Sequence, residues 1–306
     1  MKADNPPVSR RDFMKAAGYS LLVGSFVFLG GLEYTTQLEP AWLHVNRLSL
    51  RLPRLDPSFS GIRLVQISDI HMGGWMNRDR LEKVVQVILS ESPDFVTITG
   101  DYLLGHGWDD TREEALSDLE QALQPLVKIA PAFTVMGNHD YWTDPRKIRK
   151  KIGAMGIIEL SNSTYSFQRG NEVFNICGVD DVYEGRDRLD ELMQKLPSNG
   201  AAMLLCHEPD FADVSAETGR FDLQISGHTH GGQVVLPLVG PIQTPKHGHK
   251  YPLGLYQVEN MMLYVNRGVG MARIPVRFNC RPEITVYTLE SGVEKAGGMW
   301  NPASRF

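Results

Sequence analysis

The chain has 306 residues, 42% of them hydrophobic and 22% charged, which is enough to bury a substantial core without cross-links. Its 31 Lys and Arg against 36 Asp and Glu leave a formal charge of -5, which excludes nucleic-acid affinity built on general basicity. Three cysteines form at most one disulfide and so exclude a disulfide framework. One large domain or two small ones fit these numbers, and any phosphate binding must be local.

The N-terminus reads as an address. Ser9-Arg10-Arg11-Asp12-Phe13-Met14-Lys15 resembles the twin-arginine export signal, with Met14 as a mild departure, and an uncharged apolar run follows from Ala16 to Leu32. That run would be roughly 25 Å long as a helix, at the short edge of what spans a bilayer. Glu33-Tyr34-Thr35-Thr36-Gln37 offers no Ala-x-Ala cleavage site, so retention as an anchor is favoured over release. The resemblance implies residues 1–40 as signal or anchor, residues 41–306 as the folded unit, passage through the twin-arginine machinery, and a location at the outer face of the inner membrane.

From about Val45 short apolar strands alternate with amphipathic helices. Ile62–Ser68, Asp94–Thr99 and Ala132–Met136 are predicted as buried strands. Arg78–Leu89 places Leu81, Val84, Val85 and Ile88 on one helical face, and Thr111-Arg112-Glu113-Glu114 is a capping box before a helix carrying Leu116, Leu119, Leu123 and Leu126. Asp144-Pro145 is a further helix start. After Gly156 strands dominate, at Thr164–Phe167, Val173–Val179, Ala201–Cys206, Leu223–Ser226, Leu263–Asn266 and Ile284–Leu289, with one helix near Arg188–Leu196. A βαβαβ first half and a strand-rich second half predict an α/β protein of two mixed sheets with helices outside and no dividing linker.

Five polar clusters each follow an apolar strand: Asp69-Ile70-His71, Gly100-Asp101, Gly137-Asn138-His139-Asp140, His207, and Gly227-His228-Thr229-His230. The C-terminal ends of neighbouring strands converge, so these loops should meet. On an extended segment Asp69 and His71 point the same way, as do His228 and His230. With Asp101, Asn138 and His207 they make seven candidate ligands, too many for one tetrahedral zinc and enough for two metals sharing a carboxylate. Their mixed His, Asp and Asn chemistry, without thiolate, suits Mn, Fe or Zn better than Ca or Mg. Cys206 adjoins His207 but should face the other side of its strand, as a core thiol.

The order Asp-x-His, Gly-Asp, Gly-Asn-His-Asp, His, Gly-His-x-His resembles the calcineurin-like metallophosphoesterase superfamily over about Gly61–Glu290. Gly231-Gly232-Gln233, Tyr251-x-x-Gly254-x-Tyr256, Arg267-Gly268-x-Gly270 and Arg281-Pro282-Glu283 look like its bacterial exported or membrane-anchored phosphodiesterase branch. The resemblance implies a four-layer αββα sandwich with a dinuclear centre at the strand C-termini. Asp69, His71, Asp101 and His230 would hold one metal, and Asp101, Asn138, His207 and His228 the other. His139 would face the substrate, stabilising charge or protonating the leaving oxygen. The expected substrate is a phosphodiester or pyrophosphate on a small molecule or lipid headgroup. Gly100-Asp101-Tyr102-Leu103-Leu104-Gly105 lacks the second Asp and the Arg of the Ser/Thr protein phosphatases, and no nucleic-acid substrate is expected.

Two alternatives are a lipid-directed pyrophosphatase similar to the enzymes that cleave UDP-diacylglucosamine, and a non-catalytic scaffold on the same fold. Trp75 and Trp142 are candidates for the substrate entrance or for loop packing. Lys246-His247-Gly248-His249-Lys250 is a basic loop that would hold a second phosphate or simply be solvated. Arg267, Arg273 and Arg277 would face phosphate or pin the C-terminal segment.

Overall fold

Strand-forming runs and helix caps place the elements close to where the sequence puts them. The computed structural model describes residues 9–272 and 274–292; Arg273, residues 1–8 and the end of the expected 41–306 unit lie outside the described residues. The first half contains strands β1 (His44–Leu52), β2 (Ile62–Ile67), β3 (Phe95–Thr99), β4 (Ala132–Val135) and β5 (Ile158–Glu159). The second half adds β6 (Ser163–Arg169), β7 (Glu172–Gly178), β8 (Ala201–Leu205), β9 (Leu223–Ser226), β10 (Val235–Leu236), β11 (Gly240–Pro241), β12 (Gly254–Val258), β13 (Met261–Val265) and β14 (Glu283–Ser291).

Two six-stranded sheets result, ordered β1-β14-β2-β3-β4-β5 and β12-β13-β9-β8-β7-β6, with β10-β11 as a separate hairpin. Both are mixed: β2 to β5 run parallel with β14 antiparallel to β2, and β7, β8, β9 and β13 run parallel with β6 and β12 antiparallel at the edges. The inner faces meet in a core that includes Leu64, Phe95, Phe133, Phe174, Leu205, Ile225 and Tyr287. Each fully buried Phe or Leu there contributes roughly 1.5–3 kcal/mol. Buried Gln66 ties the sheets across this core, donating to Thr99 Oγ1 at 2.9 Å and to Ser226 O at 3.0 Å.

Helices cover the outer faces. On the first sheet, α3 (Arg78–Ser90) buries Leu81, Val84, Val85 and Ile88, and α4 (Asp110–Ile129) buries Leu116, Leu119, Leu123 and Leu126. On the second, α7 (Leu189–Lys195) and α8 (Ala212–Glu217) pack Leu192, Ala212 and Ala216 against Leu204. The αββα layering therefore stands as expected.

Local differences have local causes. The cap of α4 is Asp109 rather than Thr111, because its carboxylate accepts both the Arg112 N–H and the Thr111 hydroxyl. Asp144 caps α6 (Pro145–Ala154) as expected. A second helix, α8, interrupts the strand-rich half, too short to give a periodic signal. The apolar N-terminal run lies in α1 (Arg10–Glu33), which continues through a π-helical turn at Tyr34–Leu38 into the short α2 (Glu39–Ala41). Its glycines do not break it. It is long and apolar enough to cross a membrane by length and composition, with none of its apolar window buried.

Candidate metal centre

Each polar cluster lies just past the end of a parallel strand: Asp69 and His71 after β2, Asp101 after β3, His139 after β4, His207 after β8, and His228 and His230 after β9. Asn138 and His139 open the short helix α5 (Asn138–Thr143). Backbone bonds lock the loops to one another. Asp69 N–H donates to Gly100 O, His71 N–H to Asp101 O, and Gly227 N–H to His207 O.

The backbone here is not extended, contrary to the sequence expectation. Asp69, His71, Asp101, His228 and His230 all have positive φ, between 49° and 70°. L residues adopt this region at a cost, and here it turns side chains back over the strand ends. Gly100 (φ 89°) has its reason in the same geometry, since a Cβ would lie 2.7 Å from His207 Nδ1.

The seven expected ligands gather at one place and are buried. His71 Nε2 is 3.0 Å from His230 Nε2, and His230 Nε2 is 3.3 Å from Asp69 Oδ1. Asp101 Oδ2 lies between two imidazoles, 3.6 Å from His71 Nε2 and 3.3 Å from His207 Nε2. Its other oxygen accepts the His139 N–H at 2.9 Å. His207 Nδ1 is held 2.6 Å from Thr99 O, leaving Nε2 buried with no hydrogen-bond partner, as is Asn138 Oδ1. Orphaned acceptors beside two carboxylates are what a cation would satisfy, so the donor set fits divalent metal. Asp69, His71 and His230, and Asp69, Asp101 and His207, each bring ligand atoms within 4.8 Å of one another.

Electrostatics point the same way. Burial pushes His71 down to about 3 and His228 to about 4, so both are neutral donors. Burial alone would raise Asp101, but His207 and His139 outweigh it and hold the carboxylate well below its usual range. Burial opposes charge on His207, yet Asp101 beside it raises the imidazole well above its ordinary value, so without a cation a proton on Nε2 takes the place that a metal would fill. Asp140, pushed up to about 7 by burial and then by Asp101, accepts the N–H groups of Asp101, Tyr102 and Gly137. It braces two ligand loops at once.

A cleft of about 710 Å³ opens onto this cluster. His139 and Trp142 line it, and Trp142 stacks on His106 with ring centroids 4.9 Å apart. Trp75 does not line it; it packs on the core under the Arg80 guanidinium. The basic loop divides: Lys246 lines the cleft, whereas Lys250 pairs with Asp213 at 2.7 Å. Arg267 pairs with Glu283, and fully buried Arg277 donates to the carbonyls of Arg267, Gly268, Gly270 and Cys280, pinning the C-terminal segment rather than facing phosphate. Cys206 lies in the outer core, as expected.

Sequence reasoning missed His106, Tyr183 and Glu208. The first two line the cleft from irregular loops, where only nearness to a motif could have marked them. Glu208, next to His207, accepts the Val182 and Tyr183 N–H groups and lies within 4.8 Å of His207 and His228 ligand atoms.

Comparison with known proteins agrees with this geometry. Residues 62–232 match the family model described as calcineurin-like phosphoesterase. The metallophosphoesterase YkuE of Bacillus subtilis is 33% identical over 93% of this chain and 98% of its own length. Phosphodiesterase YaeI of Escherichia coli is 29% identical over 92% of this chain and 99% of its own. A zebrafish (Danio rerio) protein described as a transmembrane protein with a metallophosphoesterase domain is 30% identical over 79% of this chain and 56% of its own. With its ligand-bearing loops gathered at the ends of two packed sheets, the chain belongs to the calcineurin-like phosphoesterase family and is a metal-dependent phosphoesterase hydrolase.

Proposed function

We propose that the protein hydrolyses phosphodiester or pyrophosphate bonds at a dinuclear centre. Asp69, His71, Asp101 and His230 hold one cation, and Asp101, Asn138, His207 and His228 the other. The observation that carries this reading is the position of Asp101 Oδ2 between His71 and His207, where one carboxylate oxygen can serve both ligand groups. When bound, two divalent cations supply hydroxide at neutral pH and offset charge on the phosphoryl oxygens. The chain supplies the rest. Thr99 O orients His207 and Lys246 O orients His228, fixing which nitrogen faces inward. His139, which lines the cleft, stabilises the developing charge or protonates the leaving oxygen. Two carboxylates against two divalent cations leave the site locally positive in an acidic protein, which suits an anionic substrate.

The N-terminal helix, which opens on the paired arginines, is read as a retained anchor that holds residues 41–306 outside the cytoplasm after twin-arginine export. The transmembrane description of the zebrafish relative supports an anchor.

The test is a panel of an activated diester, an activated monoester, a nucleotide diphosphate and a glycerophosphodiester, each with Mn, Fe and Zn. Diester or diphosphate hydrolysis abolished by chelation is expected. Preference for the monoester overturns the substrate class, and a metal-loaded protein inert to the whole panel is a scaffold.

A further inference from the structure

The cleft lining includes an apolar set, Val234, Ile242, Ala272, Ile274 and Val276. Beyond it, the β10-β11 hairpin carries Leu238 and Val239 at its turn, 109% and 74% exposed, and Ile242 and Ile274 nearby are 60% and 65% exposed. Of the other exposed large aliphatics of residues 43–292, Leu236 lies on the same hairpin, and Ile129, Val214 and Leu255 belong to separate elements. Single exposed aliphatics need no explanation, whereas five on one rim mark a contact surface.

That rim is bonded to the end of α1. Val235 N–H donates to Phe278 O, and Gln233 Nε2 donates to the carbonyls of Ile274 and Val276. The neighbouring Arg277 N–H donates to Thr35 O in the turn that ends the apolar helix, and Cys280 N–H donates to Glu39 Oε1. Hairpin, strap and helix exit thus form one hydrogen-bonded ridge. Trp42, where the chain enters the folded unit, is 57% exposed with the Arg281 guanidinium 4.6 Å from its ring. Such aromatic and basic residues are at home at headgroup level. With the helix in a bilayer, the few residues from Leu38 to His44 leave the rim no room to move away, so even a weak apolar contact becomes effectively intramolecular.

We propose that this ridge rests in the interfacial layer of the membrane, and that the metal centre takes its phosphodiester from a lipid there, the acyl chains leaving along Ile242 and Ile274. This rests on the anchor and phosphodiesterase readings above. In the reaction a water oxygen bonds to phosphorus, one ester P–O bond breaks, and the departing alcohol takes up a proton, leaving a phosphomonoester.

The test uses the full chain, loaded with Mn and reconstituted into phosphatidylcholine and phosphatidylglycerol vesicles. Leu238→Cys is labelled with a polarity-sensitive fluorophore, the native cysteines being buried. Ile129→Cys, at the end of the sheet remote from the ligand loops, is the reference. Blue-shifted emission and several-fold stronger quenching of the Leu238 label by acyl-spin-labelled lipid are expected. L238S/V239S should lower hydrolysis of vesicle phosphatidylglycerol about tenfold, the scale of losing part of two buried aliphatic side chains, while leaving an activated soluble diester unchanged. The deacylated, soluble counterpart of the lipid should be the poorer substrate, and equal turnover of the two would overturn the lipid assignment. Protein that floats with vesicles and cleaves the soluble diester, but whose two labels are quenched alike, sinks the ridge alone. Failure to float at all sinks the anchor reading, and failure on every diester sinks the phosphodiesterase reading. A detergent-solubilised dimer that L238S/V239S dissociates means a second copy covers the rim, which also overturns the proposal.

Discussion

Asp101 in the floor of the cleft and Asp69, His71 and His207 behind it are buried polar side chains, while at its rim Leu238 and Val239 are aliphatic side chains in the open. Both reverse the usual distribution of residues, but they are supported differently. The floor sits on five parallel strand ends, with each carboxylate taken up by backbone N–H groups and each loop bonded to the next. The rim is a two-residue-a-side hairpin held by a few bonds to the 274–280 strap. Misplaced polarity inside the protein is stable only when over-determined, whereas misplaced apolarity outside it needs only a surface to meet. The floor should therefore be intolerant of any change, and the rim tolerant in all assays that lack its partner.

The hardest blow to the floor is at Asp101. Asp101→Ala removes the oxygen between the two imidazoles, and we expect loss of bound metal by elemental analysis with turnover down about 10³-fold or more, the scale of removing one essential charge-stabilising group. Full metal content in that variant would break the shared-carboxylate reading. His139→Ala should cut turnover by about 10²–10⁴-fold with metal content intact. Because His139 also lies within 4.8 Å of His71 and Asp101 ligand atoms, loss of bound metal there would move it from substrate to ligand.

A smaller effect is expected from Gly227→Ala. A Cβ there would collide with Ser68 Oγ and Asp69 Oδ2, displacing the first ligand without removing it. Metal affinity should fall about 10–100-fold, as for other disturbances of groups that orient ligands, and unchanged affinity in a metal titration would mean that the floor is softer than described.

The least effect is one of pH. Burial, and then Glu208, raises Asp181 from 3.8 to about 10. The folded state thus binds more protons than the unfolded one across that window, and its stability falls as pH rises through it. Asp181→Asn carries no such proton. In chelator-treated protein its melting temperature should fall less than the parent's between about pH 5 and pH 9, and parallel profiles would place the slope elsewhere.

Much of this was legible in the chain. Buried strands announced themselves by Val, Ile and Thr runs, and the five clusters by their place after those runs. β1 was not marked as a strand, because its worth comes from parallel pairing with β14 more than two hundred residues away, a contact no local pattern encodes. The positive φ of Asp69, His71, Asp101, His228 and His230 was equally invisible, since ordinary residues are held there only by the loops around them. Trp75 and Trp142 looked alike in sequence, each in a loop after a motif. The fold sends one to the core beneath Arg80 and the other to the cleft beside His106.

The amino-acid sequence by itself determined the composition of the centre and the family, because metal chemistry needs particular donor atoms and those are written in residue types. Only the tertiary structure decided which oxygen of Asp101 lies between two imidazoles, which tryptophan meets the cleft, and that an apolar hairpin shares a ridge with the N-terminal helix. Those are relations between segments far apart in the chain, and they exist only once two sheets have packed.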